Sequence, residues 1–168
     1  MPNQKIWIID NKKEEAFLRE KTAEFDFSKH TKKEVAELVR TMREAMHKAN
    51  GIGLSANQIG IPYRVFVAQV PDAQGHMKFY SMFNPKIEKP SSETETLEEG
   101  CLSIPETFGP VERAYRLTLS AQEKTGKKVK IKAWGLLARV FQHEVDHLGG
   151  TLFIDRAKST QKITDKNR

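Results

Sequence analysis

The chain has a single cysteine among its 168 residues. An internal disulfide is therefore excluded, and a reducing compartment is the expected setting. There is no run of about 18 apolar residues, which excludes an apolar membrane-spanning helix. The opening stretch, Met1-Pro2-Asn3-Gln4-Lys5-Ile6, lacks the long apolar segment of a signal peptide, so the cytoplasm is the expected location. Internal repeats are absent. Mean hydropathy is −0.59 and 38% of residues are hydrophobic, ordinary values for a globular chain of this length. One catalytic domain over residues 1–156 and a C-terminal tail over 157–168 are expected.

What is present begins with charge. Twenty-eight Lys and Arg face 22 Asp and Glu, giving +6 and an isoelectric point near 9.4. The ordinary meaning of such a balance is a solvated surface. The tail is the most biased stretch: Arg156, Lys158, Lys162, Lys166 and Arg168 against Asp165. With little apolar content, it is expected to fray or to serve as a docking segment.

Thr31-Lys32-Lys33-Glu34 reads as a capping box. Val35, Leu38, Val39, Met42 and Met46 follow at helical spacing, and Asn50-Gly51 fits a left-handed stop, so a helix is predicted over 32–49. Strands are predicted over 64–70, 78–83, 115–121 and 129–133, the last two joined as a hairpin at Gly126. Pro85, Pro90, Pro105 and Pro110 suggest loops and short strands in the centre, with 90–99 polar and exposed. A final helix is predicted over 134–148. The class is α+β, with mixed or antiparallel strands packed around this last helix and an N-terminal helix. The aromatic residues Phe79, Phe83, Phe108, Trp134 and Phe141 are assigned to the core. His30, His47 and His76 are expected to be exposed and without partners.

The chemistry concentrates in the last helix. His143-Glu144-Val145-Asp146-His147 places two imidazoles four residues apart on one face, with Glu144 beside them. Two histidines and the Cys101 thiolate make three ligands and leave a position for water, the pattern of a catalytic metal site. A glutamate in that setting suits proton transfer from metal-bound water. The usual peptidase completions fail: no Glu follows Glu144, and Phe153 stands where HExxHxxGxxH needs histidine. The glycines of 51–60 permit close backbone approach to a ligand. They do not make a dinucleotide loop, because they follow a helix and precede a strand. Arg139, one turn before His143, reads as a pairing or surface arginine that could rim a pocket.

Three segments together, Gly51-Ile52-Gly53-Leu54-Ser55-Ala56-Asn57-Gln58, Glu99-Gly100-Cys101-Leu102-Ser103-Ile104-Pro105 and Gln142-His143-Glu144-Val145-Asp146-His147-Leu148, resemble the signature motifs of peptide deformylases, in the family's order. The one departure is Ser55, where the family usually has Ala. The resemblance implies a hydrolase that removes the formyl group from N-formylmethionine of nascent polypeptides, releasing formate. It implies Cys101, His143 and His147 as metal ligands and Glu144 as general acid/base to the water that attacks the formyl carbon. Gln58 and the Leu102 N–H would hold the oxyanion. It implies one divalent ion, iron(II) first, with nickel, cobalt or zinc as substitutes. Ile52, Gly53, Glu99, Gly100 and Leu136 are expected to border the substrate. The ribosome, reached through the basic tail, is the expected partner; no membrane and no specific DNA are expected. A metalloprotease, or a silent relative that binds RNA through its basic surface, are the alternatives. Glu144 and Gln58 together argue against silence.

Overall fold

The computed structural model describes residues 4–163. Eight strands and three α-helices follow one another as α1 (Lys12–Leu18), α2 (Lys32–Lys48), β1 (Gly53–Ser55), β2 (Val65–Pro71), β3 (Met77–Glu88), β4 (Thr94–Cys101), β5 (Ile104–Ala114), β6 (Arg116–Gln122), β7 (Lys128–Trp134), α3 (Gly135–Leu148) and β8 (Gln161–Lys162). The class is α+β, as expected, and every strand pairing within the two sheets is antiparallel.

The capping box of α2 is formed. Thr31 Oγ1 accepts from the Glu34 N–H at 3.2 Å and Glu34 Oε2 accepts from the Thr31 N–H at 2.6 Å. The helix stops at Asn50, which takes φ 55°, and the Gly51 N–H returns to the Met46 carbonyl. Its buried stripe, Val35, Leu38, Val39, Met42 and Met46, packs against Leu54 of β1 and Val65 and Val67 of β2. Helix α3 lies on the opposite face of the same sheet, where Phe66, Ala68, Tyr80, Leu117 and Leu119 meet Ala138, Val140 and Phe141. The sheet order is β1-β2-β3-β6-β7, so it is sandwiched between helices at one end. The Gly126 hairpin is present, with φ 84° at the turn.

A second sheet, β4-β5-β8, carries Cys101 toward α3. Its long β4–β5 hairpin replaces the loops expected in the centre. The polar run before Glu99 is a strand exposed along its edge, so it shows no apolar alternation. Pro105 and Pro110 sit within β5, whose outer side is paired with β8 only at Thr107 and Phe108. Helix α1 also escaped the sequence reading: Asn11 caps it, but Leu18 alone is fully buried.

The described part of the tail does not fray. The Lys158 N–H donates to the Pro110 carbonyl, the Ile163 N–H to the Glu106 carbonyl, and Gln161 pairs with Phe108. A Cβ at Gly109 would overlap the Ser159 carbonyl. Residues 164–168 lie outside the described residues. Gly109→Ala is therefore expected to displace residues 157–163 and to cost about 1–3 kcal/mol, as overpacking does. Limited proteolysis would show new cleavage within 157–163 and thermal unfolding a lower midpoint; an unchanged digestion pattern would mean the strap is not held by this contact.

Candidate metal centre and its cavity

Helix α3 has few free faces. Ala138, Val140, Phe141, Glu144, His147 and Leu148 are all buried, so its polar groups must find partners inside the fold. His143 and His147 project toward Cys101 at the end of β4. Cys101 Sγ lies 3.1 Å from His147 Nε2, which lies 3.2 Å from His143 Nε2. All three donor atoms fall within 4.8 Å of one another. Neighbouring donors of a tetrahedral ion with bonds of about 2.0–2.3 Å sit at similar separations. The donor set and its spacing thus fit a divalent cation.

Each ligand is supported differently. His143 Nδ1 meets Glu99 Oε2 at 3.0 Å, which directs the other nitrogen toward the cation position. His147 Nδ1 is buried without a hydrogen-bond partner among the described residues, and Asn57 Nδ2 donates to the His147 carbonyl at 2.7 Å. Burial opposes charge on both rings. Contacts with Cys101 and Glu99 nevertheless raise His143 well above its ordinary range. Burial and the neighbouring His143 lower His147.

Glu99 is the hub. Arg113 grips both of its oxygens, at 2.9 and 3.0 Å, and Arg139 donates to one at 2.8 Å. The remaining arm of Arg113 reaches Asp146 at 2.6 Å, which Arg156 also holds. Burial would raise the Glu99 pKa, but the hydrogen bonds from His143 and Arg113 outweigh it and hold the carboxyl well below its usual range. Arg139 is buried and paired with Glu99, and it also lines the cavity beside the cluster, so the pairing and pocket readings both hold. Arg113 and Asp146 went unrecognised as site residues, because Arg113 meets its partners 14 and 33 positions away.

On the other side of Glu144 lies β1. Ser55 Oγ is within hydrogen-bond distance of Glu144 Oε2, at 2.7 Å, and of the Glu144 carbonyl, at 3.0 Å. A Cβ at Gly53 would overlap the same carboxylate. Burial pushes the Glu144 carboxyl up, partly offset by His143 and by the Ser55 hydrogen bond. One turn on, Gln58 Oε1 accepts from the Ser55 N–H at 3.0 Å, while Gln58 Nε2 points to Ser103 Oγ (3.0 Å) and Cys101 Sγ (3.6 Å).

A cavity of about 410 Å³ opens here. Ile52, Gly53, Gly100 and Leu136 line it, with Gln58, Leu102 and Glu144. Glu99 lines it too, although its carboxylate is fully engaged. Ile52 and Leu136 are half-exposed at the mouth. Phe108, expected in the core, borders the cavity. Phe83 and Phe141 are core, and Phe79 packs under Arg43. Trp134 is 59% exposed, against expectation. Of the histidines expected to lack partners, His30 stacks on Phe25, His47 meets Gln69 at 2.7 Å, and His76 is exposed near Asp72.

The family model for polypeptide deformylase matches residues 5–163. The chain belongs to the peptide deformylase family. A peptide deformylase of Agrobacterium fabrum is 48% identical over 123 residues, covering 73% of this chain and 72% of that protein. The deformylase structure from Thermotoga maritima superposes with a TM-score of 0.83 at 34% identity, covering 95% of this chain and 100% of that one. A deformylase of Acinetobacter baumannii, solved with Met-Ala-Ser bound, gives 0.82 at 32% identity, over 90% and 96% of the two chains. In this deformylase the Cys/His/His cluster is the group suited to the family's divalent metal.

Glu99→Gln is expected to leave Arg139 buried without its counter-charge and Arg113 with Asp146 alone, at about 3–5 kcal/mol. Because the folded-state pKa of Glu99 is depressed, its contribution is complete above the ordinary carboxylate range and is lost as pH falls through that range and below. Urea unfolding across pH 3–7 should show the wild-type deficit at acid pH shrinking in the variant. Equal losses at every pH would remove Glu99 from that role.

Proposed function

We propose that the cavity binds the N-formylmethionyl end of a polypeptide and that Glu144, Gln58 and Leu102 carry out its deformylation. The carrying observation is the placing of Glu144 beside the Cys101/His143/His147 cluster, buried, and clamped by Ser55 against Gly53. Formyl removal is the reaction of the family, and the cavity at the cluster accommodates a methionyl side chain.

Cys101, His143 and His147 would hold the cation, which when bound acidifies water and polarises the formyl carbonyl. We assign iron(II), on the family resemblance; two imidazoles and a thiolate would equally suit zinc by ligand type. Glu144 takes a proton from the attacking water as the new C–O bond forms. It returns that proton to the peptide nitrogen as the C–N bond breaks, leaving formate and a free methionyl amine. A carboxyl raised by burial suits this two-way transfer. Gln58 is held at its carbonyl end by the Ser55 N–H, and its amide N–H₂, which here meets Ser103 Oγ and Cys101 Sγ, would turn one N–H to the developing oxyanion together with the Leu102 N–H. Ile52, Gly53 and Gly100 offer backbone to an extended peptide, a mode that tolerates varied sequence after methionine. Leu136 borders the methionine side chain. Docking on the ribosome through 157–168 belongs to the same reading; Lys162 is exposed on β8, while Arg156 is committed to Asp146.

Ser55 bears on Glu144 directly. Its hydroxyl fixes one carboxylate oxygen, so Ser55→Ala, the residue usual in the family, should lower kcat about three- to tenfold with KM and thermal stability little changed. Ser55→Thr should recover part of the loss. An unchanged kcat in Ser55→Ala would show that Gly53 alone seats the carboxylate.

Formate release from formyl-Met-Ala-Ser by anaerobically prepared, iron(II)-loaded protein tests the whole reading. Glu144→Ala is expected to retain the metal and lose at least a hundredfold in rate. Release by a Glu144→Ala protein at the wild-type rate would overturn the assignment.

A further inference from the structure

We infer that the outward face of β6 and β7 binds single-stranded RNA, with Trp134 as its stacking platform. Helix α2 covers the β1–β2 end of this sheet face and leaves the β6–β7 end open. On β7 the alternation is strict. Val129, Ile131 and Ala133 turn toward α3, while Lys128, Lys130, Lys132 and Trp134 are exposed. The register sets these beside Gln122, Ser120, Thr118 and Arg116 of β6. Lys86 of β3 lies opposite Ser120.

Five cations thus share one face. Two have carboxylates: Lys130 with Glu88 at 3.4 Å and Arg116 with Glu93 at 3.0 Å. Lys86, Lys128 and Lys132 have none within 4.0 Å among the described residues. Alternate residues on a strand stand about 7 Å apart, so the lysines form an even row suited to a phosphate backbone. One-sided burial requires outward residues to be polar, not uniformly cationic. Lysine on an edge strand also deters strand-to-strand aggregation. Trp134 contradicts that explanation as a sufficient one, since an exposed indole at the end of the row invites association. A basic groove ending in an aromatic ring is the combination that holds unpaired bases. The hydroxyls of Thr118 and Ser120 lie between the lysines, where a ribose 2′-OH would meet them. Trp134 is two residues before Leu136 at the cavity mouth.

The test is fluorescence anisotropy of a labelled twelve-nucleotide oligouridylate titrated with the full chain between 50 and 200 mM salt. Lys128→Gln/Lys130→Gln/Lys132→Gln is expected to weaken binding at least tenfold. It should also flatten the log–log salt dependence by about 2, at about 0.7 per phosphate lost. Trp134→Ala should weaken binding about five- to hundredfold with the salt slope unchanged. Both should release formate from formyl-Met-Ala-Ser at the wild-type rate, which also reports folding. Lys158→Gln/Lys162→Gln, in the tail, should bind as wild type does. Any one of three results would overturn the inference: no salt-dependent binding by the wild type, undiminished binding by the triple variant, or equal affinity for the corresponding DNA. Aggregation of the triple variant with RNA binding intact would return the lysines to edge protection alone.

Discussion

The arrangement depends on one buried carboxylate. Cys101 arrives on β4 and the two histidines on α3, and nothing in either element by itself brings them to one point. Glu99 does so. It stands two residues before Cys101 and meets His143 across the gap, while Arg113 from β5 bridges Glu99 to Asp146, the neighbour of His147. Replacing such a network with apolar side chains often costs nothing in stability. What it supplies here is position: three donor atoms from two elements held within 4.8 Å.

The same helix and sheet also place Glu144, the proposed general acid/base. Glu144 follows His143 immediately, so its side chain departs from α3 toward β1 rather than toward β4. There it meets Gly53, which has no Cβ to obstruct it, and Ser55, which offers a hydroxyl. Ser55 also presents its N–H to Gln58. One residue of β1 therefore touches two groups assigned to proton transfer and oxyanion binding. The glycine read from the sequence as making room for substrate makes room for Glu144 as well.

Legibility in the sequence followed the range of the interaction. The HExxH spacing and the α2 capping box are contacts within four residues, and both were readable. The β4–β5 hairpin was not, because an exposed edge strand such as Thr94–Glu98 carries no apolar alternation and the prolines of β5 look like breaks. Arg113 was invisible because its partners are brought to it by the fold. Glu99 does line the cavity, as read, but nothing in the sequence showed that its oxygens are spent on two arginines and an imidazole. Trp134 was read as core on the general habit of aromatic residues. A signal was nevertheless present: the outward series 128, 130, 132 continues to 134, and a strand extended by one residue would have placed the indole outside.

The charges gathered on Glu99 bear on His143, a proposed metal ligand. A carboxylate beside an imidazole can either accept a hydrogen bond or take the proton. Burial alone would favour the second outcome by raising the Glu99 pKa. The hydrogen bonds from His143 and Arg113, with the Arg113 charge, reverse that tendency and hold Glu99 ionised and weakly basic. Glu99 then leaves the Nδ1 proton on His143, so a cation would bind through Nε2 by displacing the proton that the raised pKa otherwise favours there. Arg113, Arg139 and Arg156 outnumber Glu99 and Asp146 within the network, so it adds no negative charge beside Cys101. A divalent cation held by two neutral imidazoles and one thiolate would carry a net charge of one. Water activation there would rest more heavily on a separate base, the role proposed for Glu144.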